Sequence, residues 1–404
     1  MTATAPLDIE PSTPHARHFA LAVFALAVGG FAIGTTEFET MGVLPQISGG
    51  VHVSVATAGH LISAYALGVV IGVPVLAFFV AGLPRKAVLI TLMGAYGAFN
   101  LLSAAAQSYH MLLLARLLAG LPHGAYFGVA SLVAARLARP GYTGRAVALV
   151  MLGLSVANVV GVPASTWLGQ HLGWRAPYVV SAGLAALTAA LVLLYVPHFP
   201  ADKEATGRRE AREFFVNPQV WLTMVAGAAG FGGMFAVYSY IAPIVTDVGG
   251  LHDSAVPWFV LAFGLGMVAG TWLAGELARW SVFGSLLLGA SGTVVVLLVY
   301  WLVAPHGWWL LPLNFVVTAI SSIVAITLQV RLMEVAGNAV TLGAAMNHAA
   351  LNIANAMGAF LGGIALDRWG VRSTSVLGSC LAVVGVVILL VSATMHRAGE
   401  RAVR

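Results

Sequence analysis

The sequence predicts an all-α membrane protein: twelve transmembrane helices in two pseudo-symmetric six-helix halves, with both termini in the cytoplasm. Three observations carry this prediction. The 404 residues are 60% hydrophobic and only 8% charged, whereas a soluble domain is about a quarter charged. Apolar stretches of roughly 20 residues, the length that crosses a bilayer core, recur along the whole chain. Most positive charges fall in alternate connecting loops, so the composition also reports an orientation.

The predicted spans are 19–44, 57–80, 88–106, 111–137, 145–170 and 176–196, then 219–246, 255–278, 283–304, 308–332, 341–366 and 373–393. Gly82-Leu83-Pro84, Arg139-Pro140-Gly141 and Pro305-His306-Gly307 separate neighbours, because Pro and Gly end helices sterically. The polar stretch 197–218 divides the chain into halves 19–196 and 219–394. Residues 1–18 hold Pro6, Pro11 and Pro14 and read as a disordered tail. They lack the basic start and short apolar core of a secretory signal. Residues 395–404 read as a second tail.

With the N-terminus in the cytoplasm, cytoplasmic segments hold 15 of the 19 Lys and Arg, and the outer loops keep Arg175, Arg368 and Arg372. The positive-inside rule selects that topology. The net charge of +5 therefore reports orientation. Nucleic-acid binding is not expected, since no soluble face gathers the positives. The lone Cys380 lies in the last span, which excludes disulfides.

The halves resemble each other at an offset of 197 residues. Asn158-x-x-Gly161 falls on Asn355-x-x-Gly358, and Gly173-Trp174-Arg175 on Gly370-Val371-Arg372. Gly34 and Pro45 fall on Gly232 and Pro243 at nearly the same offset. Parallel halves are a transporter architecture, with the substrate site between them near the midplane.

Ionisable side chains within spans are costly and usually face a cavity or a partner. Glu37 and Glu39 lie in span 1, Arg116 and His123 in span 4, and His348 in span 11; His60 lies near the outer end of span 2. Glu37 and Arg116 are each about 10 Å or less from the outer boundary at about 1.5 Å rise per residue, so they could pair directly or through water. Burial and a guanidinium pull a carboxyl in opposite senses, which suits a proton-carrying group. The competing reading is a glutamate reaching the outer interface. Glu39, about 200° further round the helix, is expected nearer water. Arg116, Gly120, His123 and Phe127 share one face of span 4. His123 could take a proton or bind substrate, or bond a carbonyl beside the Pro122 kink.

His348, Asn352 and Asn355 share one face of span 11 and read as cavity lining, with helix–helix hydrogen bonding as the alternative. Asn158, the repeat partner of Asn355, is expected at an equivalent packing position. Spans 3 and 12 are expected to face lipid. Trp167, Trp174, Trp258, Trp308, Trp309 and Trp369 read as interface anchors. Phe31, Phe38, Tyr126, Phe127, Phe235, Tyr238 and Tyr240 are candidates for an apolar binding wall.

These residues resemble the major facilitator superfamily, specifically its twelve-span drug:H⁺ antiporters. Gly34-Thr35-Thr36-Glu37-Phe38 with Met41-Gly42-Val43-Leu44-Pro45 is similar to the span 1 signature of bacterial sugar-efflux and chloramphenicol-resistance members. Arg116-x-x-x-Gly120 resembles the span 4 motif. Leu121 through Gly128 resembles the arabinose-efflux-like branch. Gly153 through Gly161-Val162-Pro163, Gly169 and Gly173-Trp174-Arg175 resemble the span 5 antiporter motif, which in that family controls closure between halves. Arg85 and Lys86 match the gating loop between spans 2 and 3, although Ala81 replaces its usual Asp and Pro84 its Gly. Pro163 is displaced by one residue from the usual Gly-Pro, and Glu39 is an extra acid.

The resemblance implies a proton-driven exporter in the bacterial inner membrane, working by rocker-switch alternating access. In it Glu37 titrates and Arg116 biases it. His123, Asn158, His348, Asn352 and Asn355, with Phe31, Phe38, Tyr126, Phe127 and Tyr238, line the cavity. Arg85, Lys86, Gly161 and Pro163 serve gating. The expected partners are a small-molecule substrate, protons and the lipid bilayer, with a monomeric protein and no cofactor or metal. The rival on the same fold is a facilitator or importer of a sugar or nucleoside. An enzyme would want a metal cluster or nucleophile–base pair, and no His-x-x-x-His, Glu-x-x-His or Cys pair occurs. A sensor would need an output domain, which a longest loop of about 20 residues does not provide.

Overall fold

The computed structural model describes residues 14–80, 83–139, 143–198, 214–336 and 340–403, which form helices and tight connections. The long helices are α1 Pro14–Gly42, α2 Val55–Val80, α3 Arg85–Ala105, α4 Tyr109–Leu137, α5 Thr143–Val156, α6 Val162–Leu172 and α7 Ala176–Tyr195. They continue as α8 Pro218–Tyr238, α9 Val256–Trp280, α10 Val282–Val303, α11 Leu310–Val335, α12 Val340–Trp369 and α13 Ser373–Val403. Eleven segments among the described residues are long and apolar enough to cross a membrane. One of them, Val282–Val335, is 54 residues long. It is interrupted between α10 and α11, where His306 and Gly307 leave helical φ/ψ.

The helix starts follow local chemistry. The Ser108 hydroxyl accepts from Met111 N before α4, and Asn217 caps α8 with Pro218 in its first turn. The tails correct the sequence reading. α1 begins at Pro14, inside the stretch expected to be disordered, since proline suits a first helical turn. α13 runs on to Val403. Residues 1–13, Ala81, Gly82, Pro140, Gly141 and 199–213 of the linker lie outside the described residues.

The 197-residue repeat recurs in the backbone. α1 breaks at Val43 (φ −120°, ψ 20°) and α8 at Tyr240 (φ −117°, ψ 26°), each followed by a short helix containing a proline. Predicted spans 1 and 7 are therefore each kinked rather than straight. Gly173 (φ 89°) and Gly370 (φ 83°) take the left-handed conformation that glycine supplies without strain. Two residues later, Arg175 Nη2 donates to Ala106 O at 2.9 Å and Arg372 Nη2 to Trp301 O at 2.8 Å.

α1 and α5 approach closely through glycine. A Cβ at Gly153 would meet the Ala27 carbonyl oxygen, and one at Gly34 would meet Leu154 and Ala157. Gly153→Ala is therefore expected to destabilise the fold by about 1–3 kcal/mol, as overpacking does. Thermal unfolding of the purified variant in detergent checks this.

The lipid-facing expectation holds for α13, which exposes Val383, Val384, Val387, Leu390 and Val391. It holds for only one side of α3. Leu101 is exposed, but Tyr96, Asn100 and Ser103 are buried, with Asn100 Nδ2 donating to Tyr96 O. The tryptophan anchors are mostly exposed as expected. Trp174 is the exception: it is buried against Gly50 with Arg175 stacked on it.

Candidate functional site

The centre of the N-terminal half is polar. Arg116, on α4, is fully buried. Its guanidinium lies 4.3 Å from the Tyr65 ring centre and 5.5 Å from that of Tyr178, and Nη2 donates to Thr36 O at 3.2 Å. Cation–π contacts strengthen when desolvated, which helps a charge tolerate this depth. Its charge acts on both Glu37 and Glu39. Neither carboxyl makes direct ion-pair contact with it among the described residues.

The two acids are placed differently. Glu37 keeps 7% of its surface exposed, whereas Glu39 has none. Glu39 is thus not the acid nearer water. The kink at Val43 and the packing of α7 enclose it, and Glu39 Oε2 accepts from Ser181 Oγ at 3.0 Å. Beside it, the Thr40 and Tyr178 hydroxyls share a hydrogen bond of 2.9 Å. Sequence reasoning missed Tyr65, Tyr96, Tyr178 and Ser181. Tyrosine in an otherwise apolar span was the available signal.

The shared face of α4 is real, but it packs mainly on α2. Gly120 lies against the Tyr65 and Val69 backbone, and His123 Nδ1 bonds Tyr65 Oη at 3.1 Å. Tyr65 Oη in turn meets Tyr96 Oη at 3.1 Å. His123 therefore takes a tyrosine partner rather than a carbonyl beside Pro122. Phe127 reaches across to the other half and stacks on His348, with centroids 5.9 Å apart and planes 3° apart.

Tyr126 does not join a wall between the halves. Its hydroxyl donates to Leu26 O at 2.8 Å, and the side chain fills the space over Gly29 and Thr188, inside the N-terminal half. Successive residues on a helix point about 100° apart, so Phe127 faces outward from that half while Tyr126 faces in.

Contacts between halves gather toward the expected outer end. α2 runs along α12, with Ser63 Oγ donating to Ala356 O at 3.0 Å and His60 beside Phe360. Gln170 Nε2 donates to Asp253 O at 2.9 Å. Phe38 packs against Phe235, Tyr238 and Phe263, and Tyr238 stacks on Phe263. Phe263 was not foreseen. Tyr240 belongs to the same closure, wedged between Gly59 and Gly363 with its hydroxyl on Ala359 O.

Below this aromatic layer, several buried amides keep unpartnered atoms: Asn158 Oδ1, Asn352 Oδ1, and both polar atoms of Asn355. Asn158 Nδ2 and Asn352 Nδ2 bond their own helices, at Leu154 O and His348 O. Asn158 lies in a π-helical turn, 157–161, between α5 and α6. Pro163 has no N–H to close an α-helical bond to Val159, and such turns mark functional sites more often than chance. A Cβ at Gly161 would meet Phe31 and Thr35, so Phe31 fills the groove beside this turn. Of the loop residues expected to gate, Arg85 is buried with Nε unpartnered, and Lys86 Nζ donates to Leu193 O at 2.7 Å.

Membrane-length apolar helices packed around buried polar groups suit a multi-pass membrane transporter. The model for "Major Facilitator Superfamily" matches residues 24–358, and the chain belongs to that family. It is 38% identical over 384 residues to the inner membrane transport protein YdhP of Escherichia coli, covering 92% of this chain and 95% of that one. It is 34% identical over 347 residues to the chloramphenicol resistance protein of Streptomyces lividans, covering 84% and 87%. Among solved structures, a D-xylose-proton symporter matches with a TM-score of 0.75 at 16% identity, covering 92% of this chain and 97% of that one. At that identity the likeness speaks for the fold alone.

Proposed function

We propose that this protein is a proton-coupled secondary exporter of small organic molecules, drugs or sugars, in the bacterial inner membrane. It crosses the membrane twelve times with both termini in the cytoplasm. The 54-residue segment Val282–Val335 would be about 80 Å long as one helix, far more than a bilayer is thick, so it crosses twice, turning at His306 and Gly307. Residues 19–196 and 219–394 form the two halves, and the protein acts as a monomer.

The carrying observation is Glu37. This carboxyl lies deep in the bundle, holds no ion-pair partner among the described residues, feels Arg116, and keeps an exposed edge. Such a group can exchange a proton when the halves rock and its surroundings change. Phe31, Phe38, Phe127, Tyr238, His123, His348, Asn158, Asn352 and Asn355 form the substrate cavity. Proton and substrate couple because each binds the two conformations differently. Gly161, Pro163, Arg85 and Lys86 govern closure. Export is supported by the 34% identity to a chloramphenicol resistance protein.

The test is efflux in everted vesicles, with and without an imposed pH gradient. Substrate that enters the lumen in step with the gradient while the lumen alkalinises supports the reading; acidification in step with substrate makes the protein a symporter instead. Flux indifferent to the gradient makes the protein a facilitator and Glu37 a structural group.

A further inference from the structure

We propose that Glu39 is the standing counter-charge of Arg116, a positioning residue that leaves Glu37 as the one acid free to exchange a proton. The inference rests on the reading that Glu37 titrates. It concerns an acid whose role the family pattern does not supply, since Glu39 is extra to the span 1 signature.

Glu39 is built into the packing beside one cation. Arg116 is held between two tyrosine rings, Tyr65 of α2 and Tyr178 of α7. The Tyr178 hydroxyl shares a hydrogen bond with Thr40, the residue after Glu39, and Glu39 itself accepts from Ser181 on the helix that carries Tyr178. On the Glu39 side the chamber is sealed. Glu39, Thr40 and Ser181 are fully buried, as is Tyr178, and Ser165 of α6 is nearly so. One Glu39 oxygen is fixed by Ser181. The other, Oε1, is buried and unpartnered, as are Arg116 Nε and Nη1. Thr36, which receives Arg116 Nη2, lies one turn before Glu39 and Thr40 on α1.

An uncompensated buried guanidinium is costly, so one of the two acids must remain ionised to offset it. A fixed counter-ion is best sealed from water and held in one position, and Glu39 is both. A proton-exchanging acid needs a route to water, and only Glu37 retains an exposed edge. The remaining titratable groups facing the pair are Tyr65, Tyr96 and Tyr178, with His123 behind Tyr65. α5 and α6 add only the Ser165 hydroxyl among the described residues.

The test reads protonation directly. Infrared difference spectra of the carboxylic-acid C=O stretch are recorded across pH on the purified full chain in nanodiscs. Among the 14 acids of the chain, the wild-type minus Glu37→Gln difference is expected to isolate one titrating carboxyl, that of Glu37. In Glu39→Gln that band persists, but its midpoint falls by roughly one to three pH units, because Arg116 now acts on Glu37 alone. The amide of Glu39→Gln still accepts from Ser181, so a merely structural role would leave the midpoint unmoved. The charge-matched double variant Glu39→Gln/Arg116→Gln, read in protein that stays monodisperse, is expected to restore the midpoint to near wild type. A band lost in Glu39→Gln, or a midpoint unchanged in it, overturns the inference. Gradient-indifferent flux in vesicles, with the spectra behaving as expected, would sink the exporter reading and leave the counter-ion standing.

Discussion

Glu37→Gln is expected to abolish gradient-driven efflux, lowering its initial rate at least tenfold, about 1.4 kcal/mol of coupling or more, while substrate still binds. The amide is isosteric with the acid and permanently neutral. Glu37 has no ion-pair contact among the described residues for the change to break. The variant therefore removes the exchangeable proton and little else. A coupled carrier in which one step is fixed can still bind but cannot use the gradient, because the proton no longer distinguishes the two conformations. Everted-vesicle efflux and equilibrium binding by tryptophan fluorescence together check this. Undiminished gradient-driven flux would remove Glu37 from the proton path. Loss of binding along with flux would make it a substrate ligand instead.

Arg116→Leu is expected to cost about 3–5 kcal/mol of stability, as removal of one partner from a buried charge constellation does. Arg116 is fully buried, stacks on two tyrosines and bonds the α1 backbone at Thr36. Its loss leaves the buried Glu37 and Glu39 without a cation and also loosens α4 from α1. Reduced yield of monodisperse protein and a lower unfolding temperature would register the effect. Arg116→Lys should recover only part of it, since an ammonium cannot present the planar fork that spans Tyr65, Tyr178 and Thr36. Wild-type stability in Arg116→Leu would show that the two acids are neutral together and need no counter-charge.

The sequence by itself determined the all-helical membrane class, the family and the repeat. Each depends on a property that survives without tertiary contacts: apolar runs long enough for a bilayer, basic loops, and glycine and arginine at fixed intervals. The repeat was legible in Gly173-Trp174-Arg175 and Gly370-Val371-Arg372 because a left-handed glycine at a turn is a local device, whereas the carbonyls that the two arginines reach lie on other helices. Single-sequence periodicity also placed Arg116, Gly120, His123 and Phe127 on one face, since helical geometry alone fixes that.

Which neighbour each face meets was decided only by the tertiary structure. Tyr126 turned inward onto Leu26 while Phe127 crossed to His348. Glu39 was enclosed by α7 rather than left near water, because the break at Val43 and the approach of Ser181 and Tyr178 bury that side of α1. The tyrosines around Arg116 and the partner Phe263 of Phe38 came from α2, α3, α7 and α9, remote in sequence. A helix pattern states what a face can bury, and depth along the axis follows from counting residues. Rotation against the neighbouring helices is set by side-chain packing summed over the whole bundle, and that sum buries Glu39 completely while leaving Glu37 a small accessible fraction.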